Sequence, residues 1–290
     1  MNTIWSDYVQ NIETLYCSRT LRFSDRYRET YKNAFQIDSR AKILEIGCGP
    51  GALSKSLARW YPDAEIVGID RDSSFIEFAF RQAPNVRFLE ADATALPFEE
   101  ESFDVVLSNT VQEHVEPSKF FGEQYRVLKK GGVCLVLSAR RGINVEADCL
   151  QAQSEQEERI WERVKPFYLE AHQKYEVGRY AMSESELPSA MERYGFSHVS
   201  TDYLSINLTP DAPENSKAEA LAMIDAHRRS HLDAVSAWRR IAPEQVSEEE
   251  LSALKKIICK KYDRRIELYE AGKKQWDTCV SLTMVLRGIK

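Results

Sequence analysis

The sequence lacks the features that mark a membrane-spanning, disulfide-stabilised or nucleic-acid-binding protein. No apolar run among its 290 residues approaches the roughly 20 residues of a membrane span, and residues 1–7 lack the basic and apolar regions of a signal peptide. Its six cysteines include no C-x-x-C pair, so neither a disulfide framework nor a zinc site is predicted. The formal net charge is −6, whereas nucleic-acid binding needs clustered lysine and arginine. We expect a cytoplasmic protein with reduced cysteines, no membrane span and no nucleic-acid partner.

The middle of the chain alternates short apolar segments with helix-like ones. Strands are predicted at residues 43–46, 65–70, 86–89, 103–108 and 133–137. A helix is predicted from about Ser118 to Lys129, with Gly131-Gly132 as its stop signal. Short strands separated by helices are typical of βαβ units, so the pattern indicates an α/β fold with a parallel sheet.

Helical additions are predicted around this sheet. Residues 1–36 contain no proline or glycine and suit one or two helices, which we interpret as an N-terminal lid. Residues 37–290 then form one domain with helical insertions at about 144–182 and 210–278. The second insertion contains a capping box, Ser247 to Glu250. Alternating residues predict further strands at 199–208 and 279–286.

A glycine-rich stretch, Glu45-Ile46-Gly47-Cys48-Gly49-Pro50-Gly51, connects the first strand to the next helix. Glycines at such a turn remove the Cβ atoms that would keep a ligand from the main chain, and the helix N-terminus attracts an anionic group. Asp70 ends the second strand, where a carboxylate can accept hydrogen bonds from ribose hydroxyls. The stretch therefore predicts a nucleoside ligand. Because Ala52 can replace the last glycine of a dinucleotide fingerprint, NAD stays open at this point.

Further motifs follow the later strands in order, namely Leu89-Glu90-Ala91-Asp92-Ala93, Phe103 to Asn109, Glu113-His114-Val115-Glu116-Pro117 and Leu128-Lys129-Lys130-Gly131-Gly132. With these motifs, the chain resembles the class I S-adenosylmethionine-dependent methyltransferases, particularly small-molecule enzymes of the ubiquinone/menaquinone C-methyltransferase type. The resemblance covers residues 37–140 and, more weakly, the strands at 199–208 and 279–287. It implies a seven-stranded, mostly parallel Rossmann-like sheet with helices on both faces, whose last strand is antiparallel and inserted beside the fifth.

The resemblance also implies a cofactor, S-adenosyl-L-methionine, and residues that bind it. The glycine turn, with Glu45, Gly47, Gly49 and Gly51, would hold the aminoacyl end. Asp70 would bind the ribose, and Arg71 would lie beside the adenine. The adenine edge would meet Asp92 and Ala93, and Asn109 would lie near the methionine moiety.

Methyl transfer from a sulfonium needs positioning and desolvation above all, and a base only if the acceptor must lose a proton. His114 is the candidate base, with Glu113 as its alternative, although His114 could instead hydrogen-bond to local backbone. Tyr8 and Tyr16 would either line the lid or pack between helices. His227 and His231 would share one helix face, but the arginines between them favour a solvated face, so no metal site is predicted.

We therefore expect an S-adenosylmethionine-dependent methyltransferase that transfers a methyl group to a small molecule by in-line displacement. Ser108-Asn109-Thr110-Val111 lacks the Asn/Asp-Pro-Pro-aromatic motif of enzymes that methylate amino groups of DNA bases or glutamine. An NAD-dependent oxidoreductase and a non-catalytic S-adenosylmethionine-binding regulator are the alternatives. Acceptor choice is expected to lie in residues 1–36, 144–182 and 210–278, where the resemblance is weakest. The sequence does not identify the acceptor or the oligomeric state.

Overall fold

A seven-stranded sheet organises the computed structural model, which describes residues 5–6, 10–151 and 155–290. Its strands are β1 (Lys42–Ile46), β2 (Glu65–Asp70), β3 (Arg87–Glu90), β4 (Phe103–Asn109), β5 (Leu128–Val145), β6 (Ser197–Leu208) and β7 (Thr278–Ile289). They lie in the order β3-β2-β1-β4-β5-β7-β6. Neighbours from β3 to β5 are parallel, and β7 is antiparallel to both β5 and β6. The predicted Rossmann-like α/β fold, with its last strand inserted beside the fifth, is confirmed.

Ten α-helices surround the sheet in the described part of the chain. They are α1 (Ile12–Arg22), α2 (Arg28–Phe35), α3 (Ala52–Trp60), α4 (Ser73–Gln82), α5 (Pro117–Val127), α6 (Asp148–Gln151), α7 (Glu155–Lys174), α8 (Glu186–Arg193), α9 (Lys217–Ile241) and α10 (Glu248–Glu270). None of the helices described here is both long and apolar enough to cross a membrane.

The sheet is covered on both faces, which explains its near-continuous apolar strands. Ile43 of β1 faces a core that α2 and α3 complete, whereas the adjacent Leu44 faces a second core completed by α5 and α8. Both side chains are fully buried. Successive side chains of a strand point to opposite faces, so a strand between two helical layers must be apolar on both.

The prediction that Gly131-Gly132 ends the fifth helix is wrong, because α5 ends at Val127. Leu128 is already extended and pairs with Phe103 of β4. The two glycines instead lie in an irregular part of β5, where Gly131 has a φ of +76° and a Cβ on Gly132 would lie 2.8 Å from the Lys129 carbonyl oxygen. Pairing with β4 therefore overrides the local helix signal.

The described residues of the two predicted insertions contain helices. The first contains α6 and α7, although β5 extends into its start. The second contains α9 and α10, and the predicted capping box between Ser247 and Glu250 begins α10. Helices α7, α9 and α10 share a third apolar core. The Nε2 of His231 on α9 lies 2.8 Å from the carboxylate of Glu157 on α7. His231 therefore has a carboxylate on a neighbouring helix as its partner.

The two N-terminal helices differ in their surroundings. On α2, Tyr31 and Phe35 are buried in the main core, and Tyr31 stacks on Trp60 with ring centroids 5.2 Å apart. By contrast, α1 lies beside the glycine turn, where a Cβ on Gly49 would be 3.7 Å from Leu15. Of the predicted lid, α1 has the position of a cover, whereas α2 is part of the core.

Candidate cofactor site

A cavity of about 580 Å³ opens at the carboxyl ends of β1, β2 and β4. This edge is where open α/β sheets bind their ligands, and the volume is in the usual range for small-molecule sites. Predicted site residues line it, namely Glu45, Gly47, Gly49, Asp70, Arg71, Asp92, Ala93, Asn109 and His114. Five separate stretches of sequence thus meet at one cavity.

The glycines of the turn have different surroundings. Gly47, Gly49 and Gly51 all have positive φ, between +52° and +82°, which side chains rarely tolerate. Among the described residues, a Cβ on Gly49 would have only Leu15 within 4 Å, whereas one on Gly51 would lie 2.8 Å from the Ala79 Cβ. Gly51 does not line the cavity. Gly51 allows close packing of α4 behind the turn, and its contact with the cofactor stays a prediction.

Asp70, at the end of β2, accepts two backbone hydrogen bonds. Its Oδ2 accepts from the Gly49 N–H at 2.9 Å, and its Oδ1 accepts from the Asp72 N–H at 3.0 Å. Burial raises the pKa of Asp70 to about 6, although these two donors act in the opposite direction. Each carboxylate oxygen has a second lone-pair direction, so the side chain holds the turn and can still accept from a ligand.

Glu45 lies beneath the turn and is almost completely buried. Its carboxylate accepts a short hydrogen bond from the Ser54 hydroxyl of α3. Burial raises the pKa of Glu45 to about 8, and the nearby Asp70 charge adds to the rise. Glu45 is therefore mostly protonated at neutral pH and connects β1 to α3 as an uncharged group.

His114 follows β4 in a short 3₁₀ turn and contacts a loop of the first insertion. Its Nδ1 accepts a hydrogen bond from the Gly178 N–H at 3.0 Å, so the neutral ring carries its proton on Nε2. Burial lowers the pKa of His114 to about 4, and the charge of Arg71 contributes. The ring is thus neutral at pH 7, is a weak base and already binds local backbone.

The neighbouring Glu113 has different surroundings. Its Oε2 is buried without a hydrogen-bond partner in the described part of the chain. Burial raises the pKa of Glu113, against the charges of Arg19 and Arg140. Its backbone carbonyl accepts from the Tyr180 N–H at 2.9 Å, while Gln112 Nε2 donates to the Tyr180 carbonyl at 2.9 Å. These bonds hold the loop after α7 against the cavity.

Sequence reasoning missed cavity residues that come from the helical additions or follow Asn109, such as Trp5, Arg19, Thr110, Val177 and Tyr180. Sequence periodicity predicts that these segments are helical. It does not indicate which turn of α1, or which part of the loop after α7, reaches the cavity. Tyr16, by contrast, does not line the cavity. It packs against Phe78 and accepts from Lys55, in line with the packing alternative, and Tyr8 lies outside the described residues.

Residues 44–136 match the methyltransferase domain family. This part of the chain is similar to methyltransferase domains. The match spans β1 to β5 and includes the glycine turn, Asp70 and Asn109. The resemblance to class I S-adenosylmethionine-dependent methyltransferases is therefore confirmed there.

Proteins similar to the methyltransferase domain carry names with different acceptors. A fatty-acid O-methyltransferase of Mycolicibacterium smegmatis is 37% identical over 115 residues, which are 38% of this chain and 42% of that protein. A demethylmenaquinone methyltransferase of Thermus thermophilus is 41% identical over 101 residues, 33% of this chain and 46% of that protein. The chain thus spans less than half the length of either relative.

The fold is similar to that of a solved methyltransferase over a longer range. Phosphoethanolamine N-methyltransferase 2 of Haemonchus contortus, in complex with phosphomonomethylethanolamine and S-adenosylhomocysteine, aligns with a TM-score of 0.55 and 15% identity. The alignment covers 99% of this chain and 59% of that one. At this identity the likeness supports the fold.

Proposed function

We propose that this chain is an S-adenosylmethionine-dependent methyltransferase acting on a small molecule. The observation that carries the proposal is the cavity at the carboxyl edge of the methyltransferase domain, where the glycine turn, Asp70, the Asp92-Ala93 pair and Asn109 meet. Nothing in the surroundings of these residues favours a redox enzyme or a non-catalytic regulator.

The residues fit the proposed cofactor. Gly49 lines the cavity without a side chain, so a ligand can approach the main chain closely. The Asp70 carboxylate would accept from ribose hydroxyls, with Arg71, Asp92 and Ala93 around the adenine. Glu45, Gly47, Gly49 and Asn109 would surround the aminoacyl end. Gly51, the last residue of the predicted turn, would contribute through its backbone, since the position of its missing side chain is close to α4.

S-adenosylmethionine supplies an electrophilic sulfonium methyl group when it is bound. The protein's contribution is then to hold the acceptor in line and to exclude water. If the acceptor must lose a proton, we propose Glu113 ahead of His114 as the base. The Glu113 Oε2 has no hydrogen-bond partner among the described residues, whereas His114 Nδ1 already accepts a hydrogen bond. We assign His114 Nε2–H the role of a donor toward the cavity.

We also propose that α1 covers the cavity as a lid. Leu15 lies against the glycine turn, and the Asn11 N–H donates to Asp233 of α9 at 3.0 Å, so the cover is connected to the second insertion. Ligand binding should increase the hydrogen-exchange protection of α1. Protection gained at the glycine turn without any gain in α1 would show that α1 is not a lid.

The acceptor is assigned only as a small molecule. The two relatives are named for a fatty acid and for demethylmenaquinone, and they are similar to this chain over only 115 and 101 residues. The segments around the methyltransferase domain, α1, the loop after α7 and the second insertion, would then determine which acceptor is bound.

The cofactor assignment is tested by thermal unfolding with S-adenosylmethionine, S-adenosylhomocysteine, NAD and NADP. A ligand that binds only the folded protein raises the melting temperature, so the first two should raise it and the last two should not. Transfer of a labelled methyl group to fatty-acid or quinol acceptors would then test activity. Stabilisation by NAD alone would overturn the proposal.

A further inference from the structure

Arg19 of α1 lines the cavity and forms no ion pair with any residue that the structure describes. Its Nη2 donates to the Thr110 hydroxyl at 3.2 Å, and no carboxylate oxygen of the described residues lies within 4 Å of the guanidinium. A guanidinium has five N–H donors. Most of the donors of Arg19 are therefore available to a ligand in the cavity.

Arg265, the largest fully buried side chain among the described residues, has different surroundings. Arg265, which is fully buried, contacts the carboxylates of Asp211 and Asp277 at 2.8 and 2.5 Å. Paired carboxylates are the usual condition for burying a charge. Burial lowers the pKa of Arg19 to about 10 and the nearby Arg22 contributes, while Tyr31 and Glu113 act in the opposite direction without offsetting them. A carboxylate bound at Arg19 would therefore stabilise its charge.

The backbone at Thr110 supports the position of this guanidinium. Thr110 has a φ of +54°, a conformation that a β-branched residue rarely adopts and that is concentrated at functional sites. Its N–H donates to the Leu137 carbonyl at 2.8 Å, and its hydroxyl donates to the Asn109 carbonyl at 2.7 Å. The hydroxyl that accepts from Arg19 is thus held at the end of β4.

We propose that Arg19 is the carboxylate receptor of the cavity, with Thr110 as the residue that orients it. Under the proposed function, on which this inference rests, the carboxylate comes from the amino-acid end of the cofactor or from the acceptor. The chemistry is the same in both cases, since a planar guanidinium binds a carboxylate through two parallel hydrogen bonds.

The test compares wild type with Arg19→Gln, Arg19→Lys and Arg22→Gln. Arg22 is a matched control because it lies one turn further along α1, has a buried Nε without a partner among the described residues, and does not line the cavity. Calorimetry measures affinity for S-adenosylhomocysteine and for 5′-methylthioadenosine, which lacks the amino acid. Benzoate is then titrated into each protein saturated with S-adenosylhomocysteine.

If the cofactor supplies the carboxylate, Arg19→Gln should weaken S-adenosylhomocysteine at least ~10-fold and leave 5′-methylthioadenosine unchanged. If the acceptor supplies it, both nucleosides should bind normally and benzoate should lose affinity. In either case Arg19→Lys should retain part of the affinity, and Arg22→Gln should behave as wild type.

Two results would overturn the proposal. In the first, Arg19→Gln binds both S-adenosylhomocysteine and benzoate as tightly as wild type does, or neither protein binds benzoate while both bind S-adenosylhomocysteine equally well. The other is an equal loss for both nucleosides, which would mean that Arg19 only supports the fold. Failure of wild type to bind either nucleoside would instead overturn the proposed function. In that case, benzoate affinity would be compared between the ligand-free wild type and Arg19→Gln. Weaker binding by the variant would support the role of Arg19, and equal binding would overturn it.

Discussion

Ligand affinity should depend on the ionisation of Asp70. Ribose hydroxyls donate to an ionised carboxylate, whereas a protonated carboxyl loses part of its accepting capacity. With a pKa of about 6, Asp70 is about one-tenth ionised at pH 5. The affinity should therefore be about 10-fold lower at pH 5 than at pH 8, and the slope should lie near pH 6.

The stability of the free protein should change in the opposite direction. The pKa of Asp70 is raised in the fold from an ordinary value of 3.8, so the folded state binds the proton more tightly than the unfolded state. The contribution to stability is fully present below about pH 4 and is lost as the pH rises to 6. The difference is on the order of 3 kcal/mol. Asp70 thus destabilises the free fold at neutral pH, and donors from a ligand relieve this cost.

The assay is calorimetric titration of 5′-methylthioadenosine between pH 5 and 8, in buffers of different ionisation enthalpy. This ligand has both ribose hydroxyls and no titrating amino-acid end, so proton release on binding reports on the protein. Asp70→Asn keeps the shape and should bind more weakly, with little pH dependence. If its affinity matches wild type at pH 8, or if it keeps the slope near pH 6, the ribose assignment is wrong.

Other substitutions separate stability from binding. Glu45→Gln should raise the melting temperature by several degrees at pH 9, because the raised pKa of Glu45 makes wild type lose stability as the pH rises from about 4.5 to 8; an unchanged melting temperature at pH 9 would contradict this. Gly49→Ala should mainly lower the affinity for S-adenosylhomocysteine, whereas Gly51→Ala should mainly lower the free energy of unfolding, by about 2–4 kcal/mol, since its Cβ would meet α4. Calorimetry and thermal unfolding on both variants measure the two quantities. A larger loss of stability in Gly49→Ala than in Gly51→Ala would contradict this. Asp211→Ala should cost about 3–5 kcal/mol in denaturant unfolding because it removes one of the two carboxylates bound to the buried Arg265, and a loss below 1 kcal/mol would show that Asp277 suffices.

The sheet could be predicted because its strands are short, apolar and bounded by clear signals. The antiparallel position of β7 came from the resemblance, since no local pattern indicates where a late strand inserts. The end of α5 could not be predicted from Gly131-Gly132, because pairing between Leu128 and Phe103 ends the helix earlier. Local signals give the type of each element, whereas tertiary pairing decides the boundary.

The site was predictable to the extent that it depends on strand ends. Asp70 ends β2 and Asn109 ends β4, the two strands on either side of β1. Because these strands are parallel, both residues lie at the same edge of the sheet. Arg19 and Tyr180 reach the cavity from helical additions, whose packing on the sheet leaves no local pattern. The role of Gly51 needed the structure as well, since a positive φ suits both ligand approach and close helix packing.

The position of β7 has a consequence for how the protein is made. β7 lies between β5 and β6 but follows both in the chain. A ribosome therefore completes β6, α9 and α10 before it supplies the strand that joins β6 to the sheet. Until then β5 and β6 expose unpaired edges, which favour association with other chains. Chaperone binding would protect the nascent protein at this stage, whereas slow translation before residue 278 would prolong the exposure of these edges.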